Sequence, residues 1–213
     1  MAKPIQPVQD RSRRRRDDLL RSAIELLAWG GPKAVTHRAV ATLARVPLAT
    51  TTYYFDSIQQ LIEEALRLHL QERMSELATF MAEASSEAAT AEELARRFAG
   101  SLASESRPTA ATWYEAYLEA ARRPALQPAL RDALAIFEEA TRTALVALGA
   151  HHPAAGARDL VALLDGWMLH RLVRAGDDTD GLFEALRCLL VIHLAEDRGV
   201  EVASRQPRPP LAS

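Results

Sequence analysis

Apolar residues recur three or four positions apart along most of this 213-residue chain. In the longest stripe they occupy Leu66, Leu70, Met74, Leu77 and Met81, which fall on one face of a helix. No segment shows the alternation of apolar and polar positions that is typical of a half-buried strand, and no internal repeat is present. The pattern therefore predicts an all-α fold.

Glycines, prolines and runs of small polar residues divide this pattern into segments. Helices are predicted to end near residue 29, to occupy two short stretches within 36–55, and to cover 57–84, 91–104, 109–123, 129–148, 157–175 and 179–197. This order predicts a three-helix N-terminal unit followed by a bundle of about six helices. We divide the chain into a disordered arm (1–12), a first domain (13–56), a helical body (57–197) and a disordered tail (198–213).

The two short helices flank a tight turn. Thr36 is a suitable N-cap for the first of them, and Pro47, which has no backbone N–H, suits the turn or the start of the second. The second helix, 48–55, carries three threonines and two tyrosines but no charge. Such a helix suits a DNA major groove, where hydroxyls reach bases or phosphates and methyl groups meet thymine.

This stretch resembles the helix-turn-helix of the TetR/AcrR family of bacterial transcriptional regulators. Residues 40–61, VATLARVPLATTTYYFDSIQQL, follow that family's pattern I-A-x-x-A-G-V-S-x-G-T-x-Y-x-H-F-x-S-K-x-x-L. Arg45 replaces the usual turn glycine, and because arginine tolerates a left-handed backbone poorly, we expect a different turn shape or some strain. Ile58 replaces a lysine that often meets phosphate, which removes one ionic contact.

Charge is unevenly distributed along the chain, although the formal net charge is only −2. Residues 1–56 hold 10 Lys/Arg against 5 Asp/Glu, whereas the remainder holds 16 against 23. A basic first domain beside an acidic body indicates a nucleic-acid face at one end. The consecutive arginines 13–16 either begin a solvated helix or reach phosphates, and beside this motif we favour phosphate contact.

DNA contacts are assigned by position in the motif, with double-stranded DNA carrying a palindromic operator as the partner. Leu48, Ala49 and Thr50 are candidates for base edges, and the tyrosine hydroxyls suit phosphates, although core packing is the alternative for one tyrosine. Because no Arg, Asn or Gln lies on this helix, discrimination should come from thymine methyls and DNA shape. The predicted DNA-binding residues are Arg13, Arg14, Arg15, Arg16, Thr36, His37, Arg38, Pro47, Leu48, Ala49, Thr50, Thr51, Tyr53 and Tyr54.

Aromatic residues of the body are either plain core or the lining of a cavity for a small, mostly apolar molecule. The family resemblance implies such a cavity, and it implies that a small-molecule effector shifts the tilt of the DNA-binding units. Trp113, Tyr114 and Tyr117 lie within about one helical turn of one another. The predicted ligand-binding residues are Phe98, Trp113, Tyr114, Tyr117, Phe137, Trp167, Met168 and His170.

The last two predicted helices are apolar nearly all round, so they need cover on most sides. That cover is either packing within the chain or a four-helix bundle with a second copy. The resemblance implies the second, a homodimer, whose two recognition helices would read a palindrome about one DNA turn apart. The predicted interface residues are Leu160, Leu163, Leu164, Leu182, Leu186, Leu189 and Leu190.

Signals for catalysis or metal binding are weak. We find no Gly-rich phosphate loop, G-x-S-x-G or H-E-x-x-H motif, so we expect no enzyme activity, cofactor or metal. His69 with Glu72, and His193 with Glu196, are interpreted as surface pairs rather than metal ligands. The single Cys188 is predicted to be a buried small side chain. No apolar run suits a membrane span, so we expect no membrane partner and a cytoplasmic location.

The sequence therefore predicts a homodimeric, ligand-responsive transcriptional repressor that binds DNA. A transcriptional activator of the same fold is one alternative. A helical interaction module or an all-α enzyme is an alternative from a different class.

Overall fold

The computed structural model describes residues 8–87, 90–174 and 178–195, and the regular structure of these segments is entirely helical. The helices are α1 (Val8–Gly30), α2 (His37–Leu43), α3 (Leu48–Tyr54), α4 (Ile58–Glu87), α5 (Ala91–Ser104), α6 (Arg107–Arg122), α7 (Gln127–Ala147), α8 (Pro153–Val173) and α9 (Thr179–Leu194), with 3-10 turns at Pro32–Ala34 and Pro124–Leu126. Three helices followed by six confirm the predicted fold. Within the described segments, no helix has both the length and the apolar character required to cross a membrane.

The N-terminal unit, α1 to α3, is built around a small apolar core. Leu19, Leu27 and Phe55 are almost completely buried in it. Thr36 caps α2 as predicted, because its side-chain oxygen accepts a hydrogen bond from the N–H of Ala39 at 3.1 Å. With seven residues each, α2 and α3 are too short to be stable alone, so this core holds them in place.

The turn between α2 and α3 contains the departure from the family pattern. Arg45 has φ 55°, in the left-handed region that glycine adopts without steric cost. The N–H of Arg45 donates to the carbonyl of Thr42 at 3.2 Å, and the N–H of Val46 donates to the carbonyl of Ala41 at 2.9 Å. The turn therefore keeps a glycine-like backbone and strains the arginine, which is one of the two outcomes expected from the sequence.

We expect Arg45→Gly to raise the free energy of unfolding by about 1 kcal/mol. The left-handed backbone costs a side chain roughly 1–2 kcal/mol, and glycine's greater freedom in the unfolded chain offsets part of the gain. Urea denaturation followed by circular dichroism measures the change. Arg38→Gly, at an exposed site within α2, is the matched control and should lose roughly 1 kcal/mol. A loss of stability in Arg45→Gly as well would mean that the turn is not strained.

The helical body consists of α4 to α9, and α4 joins it to the N-terminal unit. Leu61, Leu66, Leu70 and Met74 are buried in succession along α4. Within the body α4 packs against α7, α5 packs against α9, and α8 contacts both α7 and α9. Helix α1 packs on both α4 and α6. The N-terminal unit is therefore held to the body by two helices.

The start of α1 corrects one predicted boundary. Because α1 begins at Val8, residues 8–12 are helical and do not belong to a disordered arm. Pro7 is the last helix-breaking residue before Gly30, so nothing in the sequence prevents the helix from extending this far. Residues 1–7 of the predicted arm and the whole predicted tail, 198–213, lie outside the described residues.

The start of α8 corrects a second boundary, since the predicted loop extended to residue 156. Pro153 occupies the first position of the helix, where its missing N–H costs no hydrogen bond. A Cβ atom on Gly156 would lie 2.9 Å from Leu145 and 3.0 Å from His193. This glycine therefore permits close packing of α8 against α7 and α9 and does not mark a loop.

Candidate functional site

One face of α3 points away from the core of the N-terminal unit. Leu48, Ala49, Thr52 and Tyr53 are exposed on it, and Tyr53 leaves 81% of its surface uncovered. Thr50 lies half-buried at its edge. We call the four exposed residues the α3 face. Thr52 was not among the predicted DNA contacts, although it lies one helical turn after Leu48 and therefore shares its face.

Thr51 points inwards, which corrects its prediction as a DNA contact. Its side chain is fully buried, and its hydroxyl donates to the carbonyl of Leu48 at 2.9 Å. The same oxygen lies 3.1 Å from Nδ1 of His37. Because the hydroxyl proton is already used, Nδ1 of His37 is the donor in this second bond. Thr51 and the half-buried His37 therefore fasten α3 to α2.

The two tyrosines of α3 differ in their surroundings. Tyr54 is half-buried, and its hydroxyl lies 3.0 Å from the Ser12 hydroxyl on α1. Its ring meets the ring of Tyr53 edge-on, with centroids 5.0 Å apart. The packing alternative considered from the sequence thus applies to Tyr54, whereas the hydroxyl of Tyr53 is directed towards solvent.

The arginine cluster also separates into two groups. Arg13, Arg14 and Arg15 are exposed on α1. Arg16 is half-buried, forms an ion pair with Glu64 of α4, and places its guanidinium 5.1 Å from the centroid of the Phe55 ring. Arg16 therefore links α1 to α4, which leaves its guanidinium less available for the predicted phosphate contact.

The residues that flank the α3 face in the sequence remain accessible. Thr36, Arg38 and Pro47 are exposed, although the Thr36 hydroxyl already accepts the capping bond. Arg45 is exposed as well and was not predicted as a contact. A positive charge three residues before α3 could have suggested a phosphate contact from the sequence alone.

A cavity of about 920 Å³ lies between α1 and the helices α4, α5 and α6. We call it the junction cavity, because α1 belongs to the N-terminal unit and the other three helices belong to the body. Ile24 and Trp29 line it from α1, Phe80 from α4 and Phe98 from α5. A cavity of this size, lined by apolar and aromatic side chains with a few polar groups, is suitable for a small organic molecule.

His69, on α4, is a buried polar side chain in the lining of the junction cavity. Its side chain is only 5% exposed, and Nε2 has no hydrogen-bond partner among the described residues. Burial, and to a lesser extent the nearby Arg73, lowers the pKa of His69 to about 4, so the ring is neutral near pH 7. This burial corrects the interpretation of His69 and Glu72 as a surface pair.

Ion pairs connect the walls of the junction cavity. Arg21 of α1 donates to Glu72 of α4 at 2.6 Å, across the boundary between the N-terminal unit and the body. Arg73 donates to Glu105, just before α6, at 2.7 Å. Burial raises the pKa of Glu105, while Arg73 and Arg171 act in the opposite direction.

Of the eight predicted ligand-binding residues, only Phe98 lines the junction cavity. Tyr117 donates to a carboxylate oxygen of Asp165 at 2.8 Å, and Tyr114 donates to the backbone carbonyl of Asp165 at 2.7 Å. Trp113 packs edge-on against Tyr117, with centroids 5.6 Å apart. These three aromatic residues of α6 therefore fasten α6 to α8, and the structure assigns them to packing.

The remaining predicted ligand residues are also placed elsewhere. Phe137 is buried and stacks on Phe98 in the core, with centroids 6.5 Å apart. Met168 is buried, the ring of Trp167 lies under the guanidinium of Arg171, and His170 is exposed. None of these residues lines the junction cavity.

The predicted dimer interface needs correction as well, because most of its residues are buried within one chain. Leu163 and Leu189 are half-buried. The others are core residues that a second copy cannot reach: Leu160, Leu164, Leu182, Leu186 and Leu190. Since α8 and α9 are apolar nearly all round, the sequence did not distinguish the inner face from the outer one.

A second stripe of small and apolar residues remains accessible on the outside of both helices. In each helix its members are spaced by four, three and four residues, which keeps them on one face. Cys188, predicted to be buried, is exposed in this stripe. The outer stripe, with every member exposed or half-buried, is Ala162, Gly166, Leu169 and Val173 on α8 and Gly181, Ala185, Cys188 and Ile192 on α9.

The arrangement is that of a helix-turn-helix regulator of transcription, with a DNA-reading helix on a small basic unit and a larger helical body. Residues 85–191 match the family described as tetracyclin repressor-like, C-terminal domain. The chain belongs to the TetR family of transcriptional regulators. Members of this family regulate transcription.

Solved structures of similar proteins agree with this family. The multidrug-binding protein EbrR, complexed with proflavin, is 34% identical with a TM-score of 0.60, and the match covers 82% of this chain and 99% of EbrR. A TetR-family protein from Streptomyces coelicolor A3 is 34% identical with a TM-score of 0.63, covering 82% and 97% of the two chains. EbrR has also been observed with imidazole. A search of curated protein sequences found no match.

Proposed function

We propose that this protein is a ligand-responsive repressor that occludes a palindromic operator and leaves it when a small-molecule effector binds. The α3 face carries the proposal, because it is a compact, uncharged and exposed surface held rigidly on a basic unit. Selection of bound fragments from genomic DNA with the purified protein tests it, since a repressor should enrich a palindrome near a promoter. Enrichment of no sequence above background would contradict it.

The proposed DNA contacts follow from exposure. Leu48 and Ala49 would meet base edges, with their methyl groups against thymine, while Thr52 and Tyr53 would bond phosphates or base edges. Arg38 and the exposed arginines of α1 would supply phosphate contacts that do not depend on sequence. Thr51, His37 and Arg16 would act indirectly, by fixing the position of α3.

We further propose a homodimer formed through the outer stripe. Two copies of α8 and α9 would bury their apolar outer faces in a four-helix bundle, and the small residues of the stripe would permit close approach. Gly166 supports this arrangement, because a Cβ there would meet no atom within 4 Å in the single chain. A dimer would present two α3 faces to the two halves of a palindrome.

Domain roles and location belong to the same proposal. Residues 13–56 would form the DNA-binding domain and residues 57–197 the domain for ligand binding and dimerisation. The complexes of EbrR with proflavin and imidazole support a small-molecule effector for this chain too. An effector releases DNA only if it binds the DNA-incompetent arrangement more tightly than the competent one. Since an operator lies on the chromosome, a regulator of this kind would be cytoplasmic.

Tyr53→Phe should weaken operator binding by at least about tenfold, because a hydrogen bond to a charged group is worth roughly 1.5–3 kcal/mol. Fluorescence anisotropy with a labelled operator measures the loss. Tyr117→Phe, which removes a hydroxyl bonded to Asp165 in the body, is the matched control and should bind normally. If Tyr53→Phe bound as tightly as wild type, the Tyr53 hydroxyl would not contact DNA.

A further inference from the structure

The junction cavity contains a buried polar group that lacks a partner. His69 lines it, is 5% exposed, and leaves Nε2 without a hydrogen bond among the described residues. An enclosed nitrogen of this kind costs free energy unless a partner satisfies it. Since the cavity has room for an organic molecule, a ligand atom is a suitable partner for Nε2.

The charge of the cavity walls indicates the sign of that ligand. Arg21 and Arg73 are the basic residues that line it, and both are already paired with carboxylates. The acidic residues outnumber them by two, because Glu25, Glu72, Glu76 and Glu105 all line the cavity. His69 is neutral and does not reduce this excess. A cation would therefore be favoured and an anion disfavoured.

Aromatic side chains of the junction cavity favour an aromatic ligand. Trp29, Phe80 and Phe98 line the cavity, and Phe80 and Phe98 lie next to each other with centroids 5.8 Å apart. Aromatic faces attract cations and stack with flat rings. The combination of acidic, aromatic and neutral hydrogen-bonding groups therefore suits a flat aromatic cation that carries a polar substituent.

We propose that the junction cavity is the effector site, that it takes an amphipathic aromatic cation bonded to Nε2 of His69, and that this ligand touches the DNA-binding unit directly through α1. The inference rests on the proposed function. The direct contact follows from the composition of the walls, since Ile24, Ala28 and Trp29 belong to α1 whereas His69 belongs to α4.

Such a site couples ligand binding to DNA binding by a short route. The ligand lies between α1 and α4, beside the ion pair of Arg21 with Glu72 that joins them. A molecule that spreads or tightens this junction changes the tilt of α1 and, through their shared core, of α2 and α3. Ligand binding can therefore move the N-terminal unit directly, without a conformational change in the rest of the body.

The first test compares two probes of opposite charge on the full-length protein. Proflavin is an aromatic cation and fluorescein is an aromatic anion of comparable breadth, and both are fluorescent. We expect proflavin to bind with saturable fluorescence change and fluorescein to bind at least about tenfold more weakly. Equal binding of both dyes, or binding of fluorescein alone, would overturn the assigned charge.

The second test replaces His69 and two of the acidic residues that line the cavity, Glu25 and Glu76. His69→Phe keeps a ring but removes the nitrogen, and should weaken proflavin binding about tenfold. Because a buried substitution can unfold the chain, Glu25→Gln with Glu76→Gln provides a second variant at exposed sites and should weaken binding about fivefold. Glu138→Gln, exposed on α7, is the matched control and should bind as wild type. Unchanged affinity in a folded His69→Phe chain, or in the double variant, would overturn the site.

The third test separates this inference from the proposed function. Proflavin should lower operator affinity of the wild type, and Trp29→Ala, at an exposed site on α1, should reduce that effect. A chain that binds its operator but shows no response to bound proflavin would overturn the coupling and leave the DNA-binding function intact. A chain that binds proflavin at His69 but binds no operator would support the site and contradict the proposed function.

Discussion

A chain carrying Ile192→Glu should be a monomer in solution and should bind its operator about 100-fold or more weakly than the wild type. Ile192 is 64% exposed in the single chain and lies at the end of the outer stripe on α9. If the outer stripes of two copies meet, a glutamate there places a charge in an apolar contact, where it cannot keep its hydration.

The loss of DNA affinity follows from the loss of the second DNA-binding unit. In a dimer, binding of one α3 face to its half-site raises the local concentration of the other face, and the two contacts reinforce each other by factors of about 10²–10⁴. A monomer binds each half-site alone. Analytical ultracentrifugation gives the mass, and anisotropy with a full palindrome and with a single half-site gives both affinities.

Ile136→Glu is the matched control for this substitution. Ile136 lies on α7, outside the outer stripe, and is 46% exposed. The variant should remain a dimer with normal operator affinity. Dissociation of Ile136→Glu but not of Ile192→Glu would place the interface on α7, and dimers of normal affinity in both variants would remove the outer stripe from the assembly.

Local features of the fold could be predicted from the sequence because their causes lie within a few residues. The Thr36 cap is an example, since an N-cap requires only a hydroxyl three residues before a free N–H. The turn at Arg45 is a partial example: the sequence left a different turn shape and backbone strain both open, and the left-handed backbone of Arg45 corresponds to strain. Ser57, a hydroxyl residue directly before α4, likewise accepts a hydrogen bond from the N–H of Gln60 at 3.1 Å.

Features that depend on the docking of distant segments could not be predicted. His69 appears beside Glu72 at helical spacing, and only the packing of other helices on α4 buries it. The junction cavity joins Trp29 to Phe98, residues that are far apart in the sequence. Neither periodicity nor composition contains this information, so the predicted ligand residues were chosen for their aromatic character, and only Phe98 among them lines the junction cavity.

The sequence also could not show which face of α8 and α9 is buried, because both helices are apolar on most sides. Along α8, Leu164 faces the core and Leu169 faces solvent, yet both are leucines on a helix that is apolar on most sides. A hydrophobic pattern identifies a buried face only when the opposite face is polar. On these two helices the apolar pattern therefore left open whether the cover comes from the same chain or from a second copy, and it did not separate core residues from exposed ones.

Replacement of Arg13, Arg14 and Arg15 by alanine should weaken binding to all DNA sequences by similar factors. These side chains extend from a helix about 100° apart, so at most two per N-terminal unit can face the same duplex. One or two phosphate contacts in each of two units should reduce the log–log salt slope by about 2 to 4, since each contact contributes about 0.9. At physiological salt this corresponds to a loss of affinity of about 10-fold to 1,000-fold.

The measurement is a series of operator and random-sequence titrations between low and high salt. Alanine at Arg131, Arg142 and Arg158, which lie on α7 and α8, removes the same charge from the body and is the matched control. It should leave the slope nearly unchanged, because those side chains are screened from the duplex by distance. A loss restricted to the operator would mean that the α1 arginines read bases. An unchanged slope would mean that they do not touch phosphate, and the salt-dependent part of binding would then come from other basic residues of the unit, such as Lys33, Arg38 and Arg45.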